Sequence, residues 1–360
     1  MKRLILIFLS MGFFLLSEKD SDACTGIALP SSDGGNVVAR TVEWAATPMQ
    51  CGYVVCPRKH SQRSYTPDGA NGLKYESKYG YVGIYTEYEP FVVEGVNETG
   101  LSAGLFFFPQ YGEYAPYNPA ESDKTLCDMQ FVSWVLSQFS SIDELKNALQ
   151  SVTLVTLNHK IGSVHWRITQ PDGKMAVLEI VGGVPHFYDN QLGVFTNSPG
   201  FPWHMTNLNK YVNLRPGSAD DYQLNADIML MPLGHGSGML GLPGDFTAPS
   251  RFVRAAFFVS TSPVWKTSWD AVQQAFHILN NFDIPIGSQF EKGKAPEGMQ
   301  SATQFTAATD QKEMRFYYRT AYNSSIRCID LKSVDFAKVK YQSHPLDDVQ
   351  QEPVQMLKIG

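Results

Sequence analysis

Short apolar runs separated by turn residues fill the first third of the chain. Residues 25–29 and 36–44 are strand-like and flank Ser31-Ser32-Asp33-Gly34-Gly35, which predicts a β-hairpin. Gly52-Tyr53-Val54-Val55 is also strand-like, and further strands are expected at 79–85, 91–96 and 101–108, the last two joined by Asn97-Glu98-Thr99-Gly100. The period then changes. Leu126, Met129, Phe131, Val132, Val135, Leu136 and Phe139 share one broad helical face within 125–152. Ser141-Ile142-Asp143-Glu144 has the form of a capping box that starts a second helix. Strand patterns resume at 163–169, at 174–181 beyond Pro171-Asp172-Gly173, and at 193–196. Residues 198–249 are rich in Pro, Gly and Asn with little periodicity, a long excursion rather than a linker. Helices are expected from Pro249 to Phe258 and from Trp269 to Asn280, then strands at 304–307, 314–318 and 325–331. That order of elements implies an α+β layered domain without internal repeats.

The opening of the chain fits none of these periods. Met1-Lys2-Arg3, an apolar stretch over 4–16 and a polar stretch over 17–23 have the layout of a secretory signal peptide. The stretch is shorter than the roughly 20 apolar residues that cross a bilayer, so removal is expected rather than anchoring. Ser21 and Ala23 stand at −3 and −1 of a cleavage before Cys24. Residues 24–360 would then form a single catalytic domain, exported to a bacterial periplasm or secreted.

Charge and side-chain counts narrow the chemistry. A net charge of −6 argues against a nucleic-acid partner, which would select a basic face. Five cysteines are too few for a disulfide framework at this length, and Cys51, Cys56, Cys127 and Cys328 are expected as buried free thiols, pairing of some of them in an oxidising periplasm being the alternative. The eight histidines show no HExxH-like spacing, so neither a metal nor an organic cofactor is expected.

A cysteine at a new chain terminus carries its own base. A free α-amine has a pKa of roughly 7.7 to 8.0 and can take the thiol proton directly or through water, so nucleophile and base come in one residue. The competing reading from another class is a lipid-anchored, non-catalytic envelope binding protein with Cys24 lipidated. Ser21 and Asp22 depart from the Leu and small residues that a lipoprotein signal usually places there.

Cys24-Thr25-Gly26, with Arg40 sixteen residues after the cysteine, resembles the start of the choloylglycine hydrolases, the bile salt hydrolases and penicillin V acylases of the N-terminal nucleophile superfamily. The resemblance continues in order through Glu94-Gly95-Val96-Asn97-Glu98-Thr99-Gly100-Leu101, His165-Trp166, Gly193-Val194-Phe195-Thr196-Asn197-Ser198-Pro199, Gly241-Leu242-Pro243-Gly244-Asp245-Phe246, Ser250-Arg251-Phe252 and Arg319-Thr320-Ala321-Tyr322-Asn323. It implies an αββα sandwich of two antiparallel sheets between helix layers. It implies Cys24 as nucleophile, with Arg40 as the cation that favours its thiolate. Asn197 would donate its side-chain amide into the oxyanion hole, and Arg251 would support the site electrostatically.

Two positions depart from the family pattern. Glu43 stands where the family usually has Asp, and is expected to orient the terminal amine. Phe106 stands where bile salt hydrolases often have Asn. Its backbone N–H is expected as the second oxyanion donor, and its ring to make the pocket more apolar. Arg254 is expected as a helix-surface charge.

The expected reaction is hydrolysis of the amide of conjugated bile salts, releasing glycine or taurine through an acyl-enzyme. Penicillin V or another N-acylated small molecule, such as an acyl homoserine lactone, is the alternative substrate on the same scaffold. Either substrate has an apolar acyl half, for which Phe106, Phe107, Phe108, Trp203 and Phe246 supply aromatic surface. The segment from Trp203 to Leu242 fills the place of an assembly loop in tetrameric relatives, so a homotetramer is expected.

Overall fold

The computed structural model describes residues 23–44, 49–157 and 162–359. The proposed signal segment, apart from Ala23, lies outside the described residues.

The strands of the two large sheets are, in chain order, β1 (Cys24–Pro30), β2 (Asn36–Glu43), β3 (Cys51–Cys56), β4 (Tyr81–Thr86), β5 (Val92–Asn97), β6 (Ser102–Phe107), β7 (Val164–Thr169), β8 (Met175–Val181), β9 (Val184–Asp189), β10 (Val194–Phe195), β11 (Thr303–Asp310), β12 (Arg315–Thr320), β13 (Asn323–Asp330) and β14 (Gln342–Pro345). One sheet has the order β10-β1-β2-β11-β12-β13 and the other β9-β8-β7-β6-β5-β4-β3-β14. Neighbouring strands within both sheets run antiparallel. Helices α1 (Phe131–Gln138) and α2 (Ile142–Leu149) belong to the second sheet's outer layer, and α4 (Ala248–Thr261) and α5 (Ser268–Leu279) cover the first sheet. Two antiparallel sheets packed face to face between helix layers make the αββα sandwich that the resemblance implies.

Alternation along the strands produces these layers. Val42, Phe305, Ala307 and Phe316 of the first sheet share a buried cluster with Val96, Ala103 and Leu105 of the second. Ile27, Leu29, Val37 and Ala39 share another with Phe252, Val272 and Phe276 of α4 and α5. Strands β2, β11 and β12 of the first sheet are therefore apolar on both faces, as in a sheet covered twice.

Several elements differ from the sequence expectation. The helical period over 125–152 breaks at its start: Thr125–Cys127 is a short strand paired in parallel with Thr153–Val155, and α1 begins only at Phe131. Cys127 therefore lies in a strand. Ser141 does cap α2, accepting from the Glu144 N–H at 3.2 Å, but the Glu144 carboxylate takes the N–H of Ser140 instead of returning to Ser141. The 198–249 excursion contains a two-turn helix, α3 (Phe201–Asn207), whose seven residues are too few to show a period. Cys328 is exposed and Cys51 half-buried, whereas Cys56 and Cys127 are buried as expected.

Candidate active site

Strand β1 begins at Cys24, and the hairpin register brings the candidate residues together. Cys24 lies opposite Val42, and Gly26 opposite Arg40. With a side-chain period of two, Cys24, Gly26 and Arg40 project from the same face, toward the second sheet. Gly26 is required there, because a Cβ at this position would sit 2.9 Å from the Phe106 ring.

Arg40 is 1 % exposed and reaches across the sandwich. Its guanidinium lies 3.9 Å from the centroid of the Phe106 ring. It donates to the carbonyls of Leu105 and, at 3.3 Å, of Val93, where β5 begins and β6 ends. It also stands 3.7 Å from Glu94, which in turn pairs with the buried Arg167 at 2.5 Å. One carboxylate thus serves two buried guanidinium groups, an arrangement that low-dielectric surroundings make rigid.

Asn197 lies two residues beyond the end of β10. Its Oδ1 accepts from the main-chain nitrogen of Cys24 at 2.7 Å and from Arg251 at 2.8 Å, and its amide donates to the Phe107 carbonyl at 2.8 Å. One of the two amide hydrogens is thereby used. Arg251, on the first turn of α4, also donates to the Cys24 carbonyl at 2.5 Å, to Thr25 Oγ1 at 2.9 Å and to the Phe246 carbonyl at 2.9 Å. Cys24, Asn197 and Arg251 are therefore one hydrogen-bonded unit, nearly closed to solvent.

Glu43 is buried beside Ala23, whose carbonyl accepts from the Glu43 N–H at 2.9 Å. Its Oε1 accepts weakly from Thr303 at 3.4 Å and its Oε2 has no hydrogen-bond partner. Burial pushes the Glu43 carboxyl up to about 7, opposed chiefly by the charge of Arg251.

The strand register bears on the expectation that the Phe106 N–H is free to donate. The Phe108 N–H donates to the Ser163 carbonyl at 2.7 Å, and Phe106 lies opposite His165 two residues further along the same ladder. In an antiparallel pair, alternate residues exchange hydrogen bonds, so the Phe106 N–H is directed at the His165 carbonyl. By the same alternation the backbone groups of Phe107 turn to the other side, where its carbonyl accepts from the Asn197 amide. The Phe106 ring is fully buried beneath Arg40, so it forms a floor rather than a pocket wall.

Arg254 also departs from expectation. It is buried, donating to the carbonyls of Pro243 and Asp245 at 2.7 and 2.9 Å, and so ties the loop before α4 to the helix. Among the described residues, a cavity of about 660 Å³ opens beyond the end of β2, lined by Met49, Tyr85, Tyr88, Gln304, Tyr322 and His344 among others. None of Cys24, Arg40, Asn197 and Arg251 lines it, so the hydrogen-bonded unit and not this cavity defines the candidate site.

A fold of this class, with a cysteine at the head of the first strand held by an arginine and an asparagine, defines an amidohydrolase scaffold. Residues 24–349 match the model of the linear amide C–N hydrolases, choloylglycine hydrolase family, and the chain belongs to that family of enzymes. A bile salt hydrolase/transferase of Clostridium perfringens is 34% identical over 86% of this chain and 92% of its own. A penicillin V acylase of Pectobacterium atrosepticum is 25% identical over 91% of this chain and 86% of its own. The solved conjugated bile acid hydrolase of C. perfringens superposes with a TM-score of 0.80 at 29% identity, covering 93% of this chain and all of that one. The penicillin V acylase of Agrobacterium tumefaciens, at TM-score 0.70, 22% identity and about nine-tenths of each chain, shares the fold.

The expectation of export is corrected by these relatives. The similar bile salt hydrolases of C. perfringens, Lactiplantibacillus plantarum and Bifidobacterium longum are cytoplasmic enzymes, so a periplasmic or secreted location is withdrawn. A short apolar opening is a compositional signal only, and residues 1–22 lie outside the described residues. The reading as a lipid-anchored envelope binding protein has no support from the relatives either.

Proposed function

We propose that the chain hydrolyses the amide of conjugated bile salts, releasing glycine or taurine, with Cys24 acting as an N-terminal nucleophile once residues 1–23 are removed. The observation that carries the reading is the main-chain nitrogen of Cys24, held 2.7 Å from Asn197 Oδ1. A free α-amine at that atom would lie beside its own thiol and keep the Asn197 contact. The severed Ala23 would vacate a space next to Glu43, whose unpartnered oxygen could then accept from the amine.

In this mechanism the thiol proton passes to the α-amine and the sulfur attacks the amide carbonyl carbon. The oxyanion that forms is met by the second hydrogen of the Asn197 amide and by the Phe107 N–H, while Arg40 favours the thiolate. The C–N bond then breaks, the departing amine takes the proton, and water hydrolyses the thioester to restore the thiol. Penicillin V is the second substrate reading, favoured by the similarity to the Pectobacterium acylase.

Product analysis with taurocholate, glycocholate and penicillin V, using Cys24→Ser as control, tests both parts. Release of taurine or glycine is expected, with activity reduced by at least about 10³-fold in the variant. Good cleavage of penicillin V with negligible cleavage of the bile salts would reverse the substrate ranking. Full activity in Cys24→Ser would refute the mechanism.

The same reading includes assembly into a homotetramer through the 203–242 excursion. Its tip carries Tyr222, Leu224, Ile228, Leu230 and Leu233 exposed, an apolar surface that a partner copy would cover. Sedimentation equilibrium should give four copies, and a monomer at micromolar concentration would oppose it.

A further inference from the structure

Two buried histidines have no part in the chemistry just described, yet both end on main-chain carbonyls at Thr196 and Asn197. His204, on α3, places Nε2 at 2.8 Å from the Asn197 carbonyl, with its ring stacked on Phe252 at a centroid distance of 4.7 Å. His165, on β7, places Nε2 at 3.0 Å from the preceding carbonyl, that of Thr196, and Nδ1 at 3.3 Å from Glu179. A carbonyl oxygen only accepts, so Nε2 carries the hydrogen in both rings.

The strand register explains what these bonds accomplish. Strand β10 pairs with β1 at Gly26↔Phe195 and Ile27↔Val194, so the same register continued would place residue 197 opposite Cys24. The ladder is not continued with main-chain atoms: the Cys24 nitrogen donates to the side-chain oxygen of Asn197, while the Asn197 main-chain carbonyl is turned to His204. That turn brings the side-chain amide to the strand end, where Arg251 and the Phe107 carbonyl orient it. A phenylalanine could supply the stack on Phe252 without burying a polar ring. What only the histidine supplies is the donor.

We propose that His204 is a positioning residue, with His165 as a second clamp one residue upstream: together they fix the backbone that aims the Asn197 amide at the reacting carbonyl. The proposal rests on the oxyanion role given to Asn197 above. Burial holds the His204 imidazole down to about 4, so the ring stays neutral and its Nε2–H is available throughout the neutral range.

The test is a double-mutant cycle on whichever of taurocholate, glycocholate and penicillin V the wild type cleaves. His204→Phe keeps a ring against Phe252 and removes the donor. It should lower kcat about 10- to 100-fold with KM changed less than about 3-fold, the scale of a small misplacement near the chemistry. His204→Gln, which restores an N–H donor, should recover most of that loss. Alkylation of Cys24 by iodoacetamide, which needs no oxyanion hole, should proceed at the wild-type rate in both variants. In an Asn197→Ala background, His204→Phe should lower kcat by no more than about 3-fold further.

Wild-type kcat in His204→Phe would overturn the proposal, as would an equal loss in the presence and absence of Asn197. Slowed alkylation in step with kcat would also overturn it, since the histidine would then support the site as a whole. If Asn197→Ala itself kept wild-type kcat, the oxyanion reading would be the one that failed.

Discussion

Glu43 carries a consequence for stability that its neighbours set. The native chain, with residue 23 in place, holds the Glu43 proton up to about pH 7, whereas an unfolded glutamate releases it near 4.5. The native state therefore binds more protons between those values, and stability falls as pH rises through that window. Glu43→Gln lacks this penalty. Its stability relative to wild type should grow by up to roughly 3 kcal/mol between pH 4 and pH 8, measured by urea unfolding of the unprocessed chain. A difference independent of pH would mean that the carboxyl is not held neutral. At this scale Cys24, Arg40, Asn197 and Arg251 were legible, because each stands in a short motif whose order along the chain could be read. The donor proposed at Phe107 was not, since which N–H leaves a ladder depends on pairing parity and one residue reverses it. Nor was the burial of Arg254, whose partners are carbonyls in a loop without period.

Strand β6 shows how an element holds residues it does not itself supply. Gly104 lies opposite both Glu94 of β5 and Arg167 of β7, and a Cβ there would overlap the Glu94 carboxylate and crowd Arg167. Gly104→Ala should therefore force apart the pair that flanks Arg40. We expect a loss of roughly 3 kcal/mol in urea unfolding, the sum of overpacking and a disturbed buried ion pair. A loss under about 0.5 kcal/mol would show that the cluster yields freely. Long elements such as β1, β2 and α5 were readable from their apolar patterns, and in the structure Thr267 with Asp270 forms a reciprocal cap at the α5 start. Short or edge elements were not: β9 is mostly exposed, β14 has four residues, and α3 is set by its docking against Asn197 rather than by its own pattern.

At the scale of the molecule, the alternation of strand and helix blocks gave the layer class, but not which strands share a sheet. Strands β10 and β1 are neighbours although about 170 residues apart in sequence, and that pairing sets Asn197 against Cys24. Such contacts leave no local trace, because the two segments need only be apolar and extended. The opening segment misled in the opposite direction: its composition suggested a destination that the relatives contradict.

The central claim is that Cys24 acts as the chain's first residue. Intact-protein mass spectrometry of the active enzyme, acid-quenched during turnover, tests it most directly. The account predicts a chain that begins at Cys24 and carries the acyl mass on that residue. A fully active enzyme that retains residues 1–23, or an acyl group found elsewhere, would contradict it.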